Sequence, residues 1–338
     1  MQLHCRTNLL SERKMKNEKG ISIILTALMV VTLFAGCGNQ KEDTGKFQIG
    51  VVQIVEHTSL NTIRETMVEE LTALGIGDQV EIDYKNASGD QNNLNTICQK
   101  FASDKKDLIV AIATPSAQAA VNATEEIPVV FSAVTDPVSA GLLNDLENPN
   151  ANATGTSDYV DAEKILDLAL KITPDIKTIG FIYSSSEANS KVVIEKAKTY
   201  VTSKGLKYEE IAVTNLSEVQ QAGISLAGKV DAMFAPIDNT IASAMDVLSE
   251  VCVEKKVPFY VSADSMVADG GFATEGIDYV DLGKETAAII KQIYEGKKVA
   301  DIPVVILKDT KTYINKTIAG KIGVTIPDDI AGSAEFFE

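Results

Sequence analysis

The sequence predicts an α/β protein made of two doubly wound, parallel-sheet lobes joined by a hinge. Short apolar runs alternate with amphipathic runs from residue 47 onward, the pattern of strand–helix–strand units. The alternation occurs twice with similar spacing. The first and third strands end near 54 and 113 in the first half and near 183 and 236 in the second; the fourth strands end near 134 and 263. The 338 residues, 45% hydrophobic and 23% charged, suffice for two domains at about 150 residues each. They exclude a disordered or polytopic membrane chain. A net charge of −16 argues against nucleic acid as a partner, because a nucleic-acid footprint is basic.

The first segment stands outside the fold. Residues 21–35 are uncharged and apolar and follow Lys16 and Lys19, the order of a secretory signal peptide. The run is short for a spanning helix, which needs about 20 residues. It ends in Leu33-Phe34-Ala35-Gly36-Cys37, which resembles the lipobox of bacterial lipoproteins, with Phe34 where that pattern usually has Leu. The resemblance implies cleavage after residue 36, lipid on the Cys37 thiol, and a polar tether over 37–45. Met15 opens this segment well, so residues 1–14 read as an upstream, misassigned start. Removal of residues 1–36 leaves 302 residues at a net charge of −19.

Strands are expected at 48–54, 80–84, 108–113 and 129–134 in the first half, and at 178–183, 208–214, 231–237 and 258–262 in the second. A helix over about 59–74 aligns Leu60, Ile63, Met67, Leu71 and Leu74. One beginning near Gln91 aligns Leu94, Ile97 and Phe101. One over 161–172 aligns Ile165, Leu168 and Ile172. A helix at 281–295 and a strand at 302–307 are expected to cross back between the domains. The first lobe is therefore assigned residues 46–157 plus about 276–303, and the second 158–275 plus about 304–330. Cys98 and Cys252 continue apolar stripes and read as core residues. With no C-x-x-C pair, neither a disulfide framework nor a zinc site is expected.

In parallel α/β sheets, ligands bind outside the carboxyl ends of the strands. The loops there carry Glu56 and His57, then Asn86, then Thr114, Pro115 and Ser116, then Asp136. In the second half they carry Tyr183, Ser184, Ser185 and Asn189, then Asp238 and Asn239, then Asp264. Such small polar residues also cap helices. Their convergence on one cleft, beside helix N-termini that favour anions, suggests a zwitterionic solute. Thr114, Ser116 and the serines at 184–186 would hold its carboxylate; Asp136, Asp238 or Asp264 would meet its ammonium. A sugar would favour stacking aromatics, and the chain has no Trp. His57 is the one histidine after Cys37, so no metal site is expected and a serine hydrolase would have no other base. No Gly-x-Gly-x-x-Gly, Walker or Gly-x-Ser-x-Gly signature appears. No cofactor and no enzymatic activity are expected.

Gly50–His57, Ala113–Ala117, Ala133–Pro137 and Gly155–Asp158, together with the lipobox, resemble ABC-transporter substrate-binding lipoproteins of the tryptophan/tyrosine-binding (TrpX-like) family, over about residues 46–330. The resemblance implies a periplasmic-binding-protein type I fold with three hinge crossings. It implies capture of L-tryptophan, L-tyrosine or L-phenylalanine by hinge closure and delivery to an ABC permease with its ATPase. Glu56, His57, Thr114, Ser116 and Asp136 match its first-lobe motifs; Tyr183 to Asn189, Asp238, Asn239 and Asp264 occupy the equivalent second-lobe loops. A monomer held at the extracytoplasmic membrane face only by its lipid is expected. A nucleoside or sugar as solute, or a signalling rather than a transport partner, is the alternative.

Overall fold

The computed structural model describes residues 45–149 and 151–338. The expected signal peptide, Cys37 and the tether up to residue 44 lie outside the described residues. Two sheets account for the architecture. The first contains β1 (Phe47–Gln53), β2 (Val80–Asn86), β3 (Leu108–Ile112), β4 (Val129–Ser132) and β5 (Ala153–Ser157). Between them run helices α1 (Thr58–Ala73), α2 (Gln91–Ser103) and α3 (Thr114–Ala123). β3 and β4 are buried along their whole length, as strands covered by helices on both faces must be. On α1 the buried positions are Ser59, Leu60, Ile63, Met67 and Leu71, one helical stripe.

The second lobe repeats the scheme. Helix α4 (Ala162–Ile172) leads to β6 (Thr178–Ser184), α5 (Ala188–Ser203), β7 (Lys207–Val213), α6 (Val219–Ala227) and β8 (Ala232–Phe234). There follow α7 (Asn239–Ala242), α8 (Met245–Lys255), β9 (Phe259–Tyr260), α9 (Asp264–Ala268) and β10 (Ala273–Gly276). The chain then forms α10 (Tyr279–Tyr294) and β11 (Val305–Ile306), and closes with β12 (Lys311–Asn315), α11 (Lys316–Ile322), α12 (Asp328–Ala331) and β13 (Glu335–Phe337).

Strand order is β11-β5-β4-β3-β1-β2 in one sheet and β13-β12-β10-β9-β8-β6-β7 in the other. Read from the far edge, both begin with the second strand, then the first, third, fourth and fifth, so the repeat is one of topology. All pairs are parallel except β10 with β12. The order reverses between β1 and β3 and again between β6 and β8. Loops leaving those neighbours diverge and leave a crevice.

The strand near 302–307 is shorter than expected and changes the lobe boundaries. Val305 and Ile306 pair with Thr156 and Ser157 of β5. The third crossing therefore follows Ile306 rather than lying near 304, and the second sheet runs on to Phe337. The other crossings follow Ser157 and Gly276. α10 packs against α1 so closely that a Cβ on Gly283 would lie 2.9 Å from the Ile63 carbonyl oxygen. Cys98 and Cys252 are free and buried, as expected.

β5, with the sequence ATGTS, lacks an apolar run yet is buried throughout. Its hydroxyls are satisfied inside: Thr154 Oγ1 donates to the Ile302 carbonyl at 2.7 Å, and Thr156 shares a hydroxyl cluster with Ser132 and Thr286. Gly155 is required by close approach, since a Cβ there would sit 1.8 Å from the Phe131 carbonyl oxygen. Gly155→Ala should therefore push β5 off β4 and lower unfolding stability by about 2–3 kcal/mol, measured by urea denaturation. Unchanged stability would mean that the two strands separate freely.

Candidate functional site

The two crevices face each other across one cleft. The loop after β1 brings His57, Ser59 and Leu60; the loop after β3 brings Ala113 and Thr114. From the second lobe come Asn189 at the start of α5, and Ile237, Asp238 and Asn239 after β8. Asp158 and Tyr279, at the first two crossings, close the hinge side. The innermost pocket holds about 10 Å³ of free space, room for about one water. Beside it lies a chamber of about 330 Å³ between Ile54, Val55 and Pro115 on one lobe and Glu187, Leu216 and Thr240 on the other.

Hydrogen bonds cross the gap directly. The Ser59 and Ser265 hydroxyls meet at 2.5 Å, and His57 Nε2 lies 3.1 Å from Asn239 Oδ1. Asn239 turns its Nδ2 toward Glu187 at 2.6 Å, so its oxygen faces His57 and accepts from the imidazole N–H. Burial lowers the His57 pKa to about 4, against the opposing effect of this hydrogen bond.

Asp158 is the buried carboxylate on the hinge side. It accepts from Thr135 Oγ1 at 2.9 Å and Tyr279 OH at 3.2 Å, both neutral donors. Burial pushes its carboxyl up to about 6 despite them. No Lys or Arg is among the residues lining the inner pocket. Opposite, Asn189 Nδ2 donates to the Ile237 carbonyl at 2.8 Å, while its buried Oδ1 has no partner.

Helix starts at the cleft are of two kinds, and α7 there is capped by the Asp238 side chain, which accepts from the Ile241 N–H. Asp90, Asp161 and Asp278 cap α2, α4 and α10 with side-chain oxygens. α1, α3 and α5 open on the cleft with no side-chain cap. Their first N–H groups stay available to an anion. At the mouth of α3, Ala113 holds φ 79° and ψ 157°, a region that only glycine occupies freely; Ala133 holds φ 55°. Such backbones cost about 1–3 kcal/mol each and cluster at binding sites.

Of the residues expected from the sequence, His57, Thr114, Asn189, Asp238 and Asn239 line the inner pocket, and Pro115 lines the chamber. The Asp238 oxygens are taken by the Ser184 and Ile241 N–H groups and the Ser190 hydroxyl, which removes it as an ammonium partner. The rest lie outside both cavities. Glu56 accepts from Tyr84 and pairs with Arg64; Asn86 caps the Ser88 N–H; Asp136 takes the Ser139 N–H and hydroxyl. Tyr183 donates to Glu210. Ser184 and Ser185 shape the turn after β6, not a carboxylate cradle. Ser116 is buried with its hydroxyl unpartnered. Asp264, pushed up to about 7 by burial, accepts from its neighbour Ser265 N–H.

Asp158, Thr135, Ser59 and Tyr279 are the pocket residues that sequence reasoning passed over. Thr135 and Asp158 sit within the quoted motifs, but β5 before Asp158 carries no apolar run, so nothing marked that acid as standing at a strand end. Nothing local marks Tyr279.

The sequence profile described as ABC transporter substrate binding protein matches residues 48–336. The chain is 41% identical over 314 residues to a tyrosine-binding protein of Clostridioides difficile (strain R20291), covering 89% of this chain and 91% of that one. The ABC domain in complex with L-Trp from Streptococcus pneumoniae superposes with a TM-score of 0.84 at 41% identity, over 87% of this chain and all of that one. The ligand-free, open structure of a substrate-binding protein with adhesive properties from Clostridium difficile gives 0.65 at the same identity, over 86% and 99%. Equal identity with unequal superposition points to a different lobe arrangement. The lobes here stand nearer the L-Trp complex than the open form, in accord with the hydrogen bonds across the cleft.

His57 gives closure a pH dependence. Burial in the cleft lowers the imidazole from its ordinary value of 6.5 to about 4, and lobes held apart would return the ring to water and relieve that push. Between these values the charged ring disfavours closure, so the His57 contribution to closure is lost as pH falls, while Asp158, pushed up by burial, contributes with the opposite sign. The closing equilibrium of the wild type relative to His57→Gln should fall about 10- to 100-fold between pH 7 and 4.5, read by small-angle X-ray scattering of both proteins; an equal pH response in the two would remove His57 as its source.

Proposed function

The chain belongs to the ABC transporter substrate-binding proteins, and we propose that it captures an aromatic L-amino acid, tyrosine or tryptophan, by closing its two lobes for import. As a member of that family it is a binding protein and not an enzyme. The observation that carries the ligand class is the pairing of opposite demands in one pocket. Asp158 is a buried carboxylate without a cation, and Asn189 Oδ1 is a buried acceptor without a donor. Both call for an ammonium group. The uncapped starts of α1 and α3, with the Ser59 and Thr114 hydroxyls, call for a carboxylate. Leu60, Ile237, Ala242 and Met266 supply apolar wall for the side chain. The tyrosine-binding and L-Trp-bound relatives support an aromatic one.

The closed pocket has too little free space for such a ligand, so the ligand enters with the lobes apart. Met266, unbranched and flexible, is the wall residue best able to give way to a ring. Closure then follows because the ligand touches both lobes only in the closed form. Delivery goes to an ABC permease driven by its ATPase. Cys37, lipidated after signal-peptide removal, would keep the protein at the extracytoplasmic face of the membrane.

Isothermal titration with L-tyrosine, L-tryptophan and L-phenylalanine, set against nucleosides and sugars, should show binding by the amino acids alone. Asp158→Asn should weaken the best of them at least about 100-fold, the scale of a lost buried charge pair. Heat evolved by a sugar or nucleoside instead would overturn the ligand class. Growth with an alkyne fatty acid should label the wild type and not Cys37→Ala; labelling of neither would remove the anchor.

A further inference from the structure

Glu187 lies at the start of α5, buried, in a loop whose small polar residues form the turn after β6. Its carboxylate gathers four N–H groups. Oε1 accepts from the backbone N–H of Asn239 at 2.9 Å and of Thr240 at 3.2 Å; Oε2 accepts from Asn239 Nδ2 at 2.6 Å and Asn189 Nδ2 at 3.4 Å. An amide that gives its nitrogen to a carboxylate must present its oxygen elsewhere. Asn189 then shows Oδ1 to the inner pocket, and Asn239 shows Oδ1 to His57 of the other lobe. The Ile237 carbonyl, which also takes Asn189 Nδ2, reinforces the first orientation.

We propose that Glu187 is the positioning residue of this site: by collecting the N–H groups of Asn189, Asn239 and Thr240 it turns one amide oxygen to the ligand and one to the opposite lobe. The inference rests on the amino-acid reading for its consequence, though not for its geometry. The second lobe is thereby left with an acceptor at the pocket, which favours a ligand carrying N–H donors. One of the two contacts that latch the lobes, His57 to Asn239, hangs from the same carboxylate, so one group serves both recognition and closure. Burial and the charge of Asp238 push the Glu187 carboxyl upward. The four N–H groups oppose that push, because a protonated acid would have to turn its O–H toward one of them.

The bonds of Glu187 all lie within the second lobe, so they can be read without ligand. NMR of the full chain should show the Asn239 side-chain NH₂ and the Asn239 and Thr240 backbone N–H groups protected from exchange in the wild type. The Asn239 side-chain NH₂ should lose its protection in Glu187→Gln, whose remaining oxygen can still accept from the two backbone N–H groups but whose NH₂ cannot accept from Asn239 Nδ2. For binding, the probes are L-tyrosine and its desamino counterpart, 3-(4-hydroxyphenyl)propionate. The wild type should prefer the amino acid, and Glu187→Gln should cut that preference at least tenfold while changing the affinity for the desamino acid less than threefold. Asn189→Ala, which leaves the carboxylate in place, should cut the preference similarly, and the double variant should add little to it.

Equal weakening of both probes in Glu187→Gln, or unchanged exchange of the Asn239 side-chain NH₂, would overturn the positioning role. Should Glu187→Gln not fold, Asn189→Ala alone decides: a preference unchanged from the wild type would sink the proposal. If the wild type binds no L-amino acid but Glu187→Gln still loses the protection, the amino-acid reading fails and the positioning stands.

Discussion

Closing a cleft lined with polar groups takes them out of water, and each must then find a partner inside. That constraint governs this protein. Asp158, His57, Glu187, Asp238 and several uncapped helix starts all face the gap between the lobes or support groups that do. An unpartnered buried polar group costs about 1–3 kcal/mol, and a charge more. Some partners are internal, as for Asp238 with its three donors. Some come from the opposite lobe, as for His57 and Ser59. Asp158 meets only neutral donors and Asn189 Oδ1 meets none, which is the demand the proposed solute would answer.

The same constraint bears on α1, α3 and α5, which open on the cleft without side-chain caps. A side-chain cap would satisfy the N–H groups permanently and leave nothing for an anion. Asp238 does so for α7, and Asp278 for α10 beside Tyr279, so those two starts offer less to one. At α3 the chain goes further, holding Ala113 in a strained backbone that places Thr114 at the pocket. Strain of this kind persists only where the surrounding packing over-determines it, and β3 and β4, buried along their length, provide that packing.

The fold was legible wherever strands carried apolar runs. β1 to β4 and β6 to β9 fall at or within about two residues of the expected spans at most ends, as hydrophobic periodicity allows. β5, β10, β12 and β13 were not legible. ATGTS and ATEG read as loops until their hydroxyls and glycines are seen to match buried neighbours. The site was half legible. The rule that ligands gather at strand ends led to loops of which several line the two cavities, but a Ser, Thr or Asp there serves equally as cap or contact. Asp136 holds an N–H of its own turn, and Asp238 holds the Ile241 N–H of its own helix start and the Ser184 N–H at the end of β6. Asp158 was obscured because the strand before it gave no signal. Which carboxylate keeps a free demand depends on donors brought from distant residues, and no local spacing encodes that.

The three crossings also bear on how the chain acquires its shape. Neither half is continuous: the first sheet is completed by Val305–Ile306 and the second by Glu335–Phe337. Each lobe is thus closed by pairings between segments far apart in the chain, and such long-range pairings carry a larger loop-closure cost than neighbouring ones, which slows the last step of assembly.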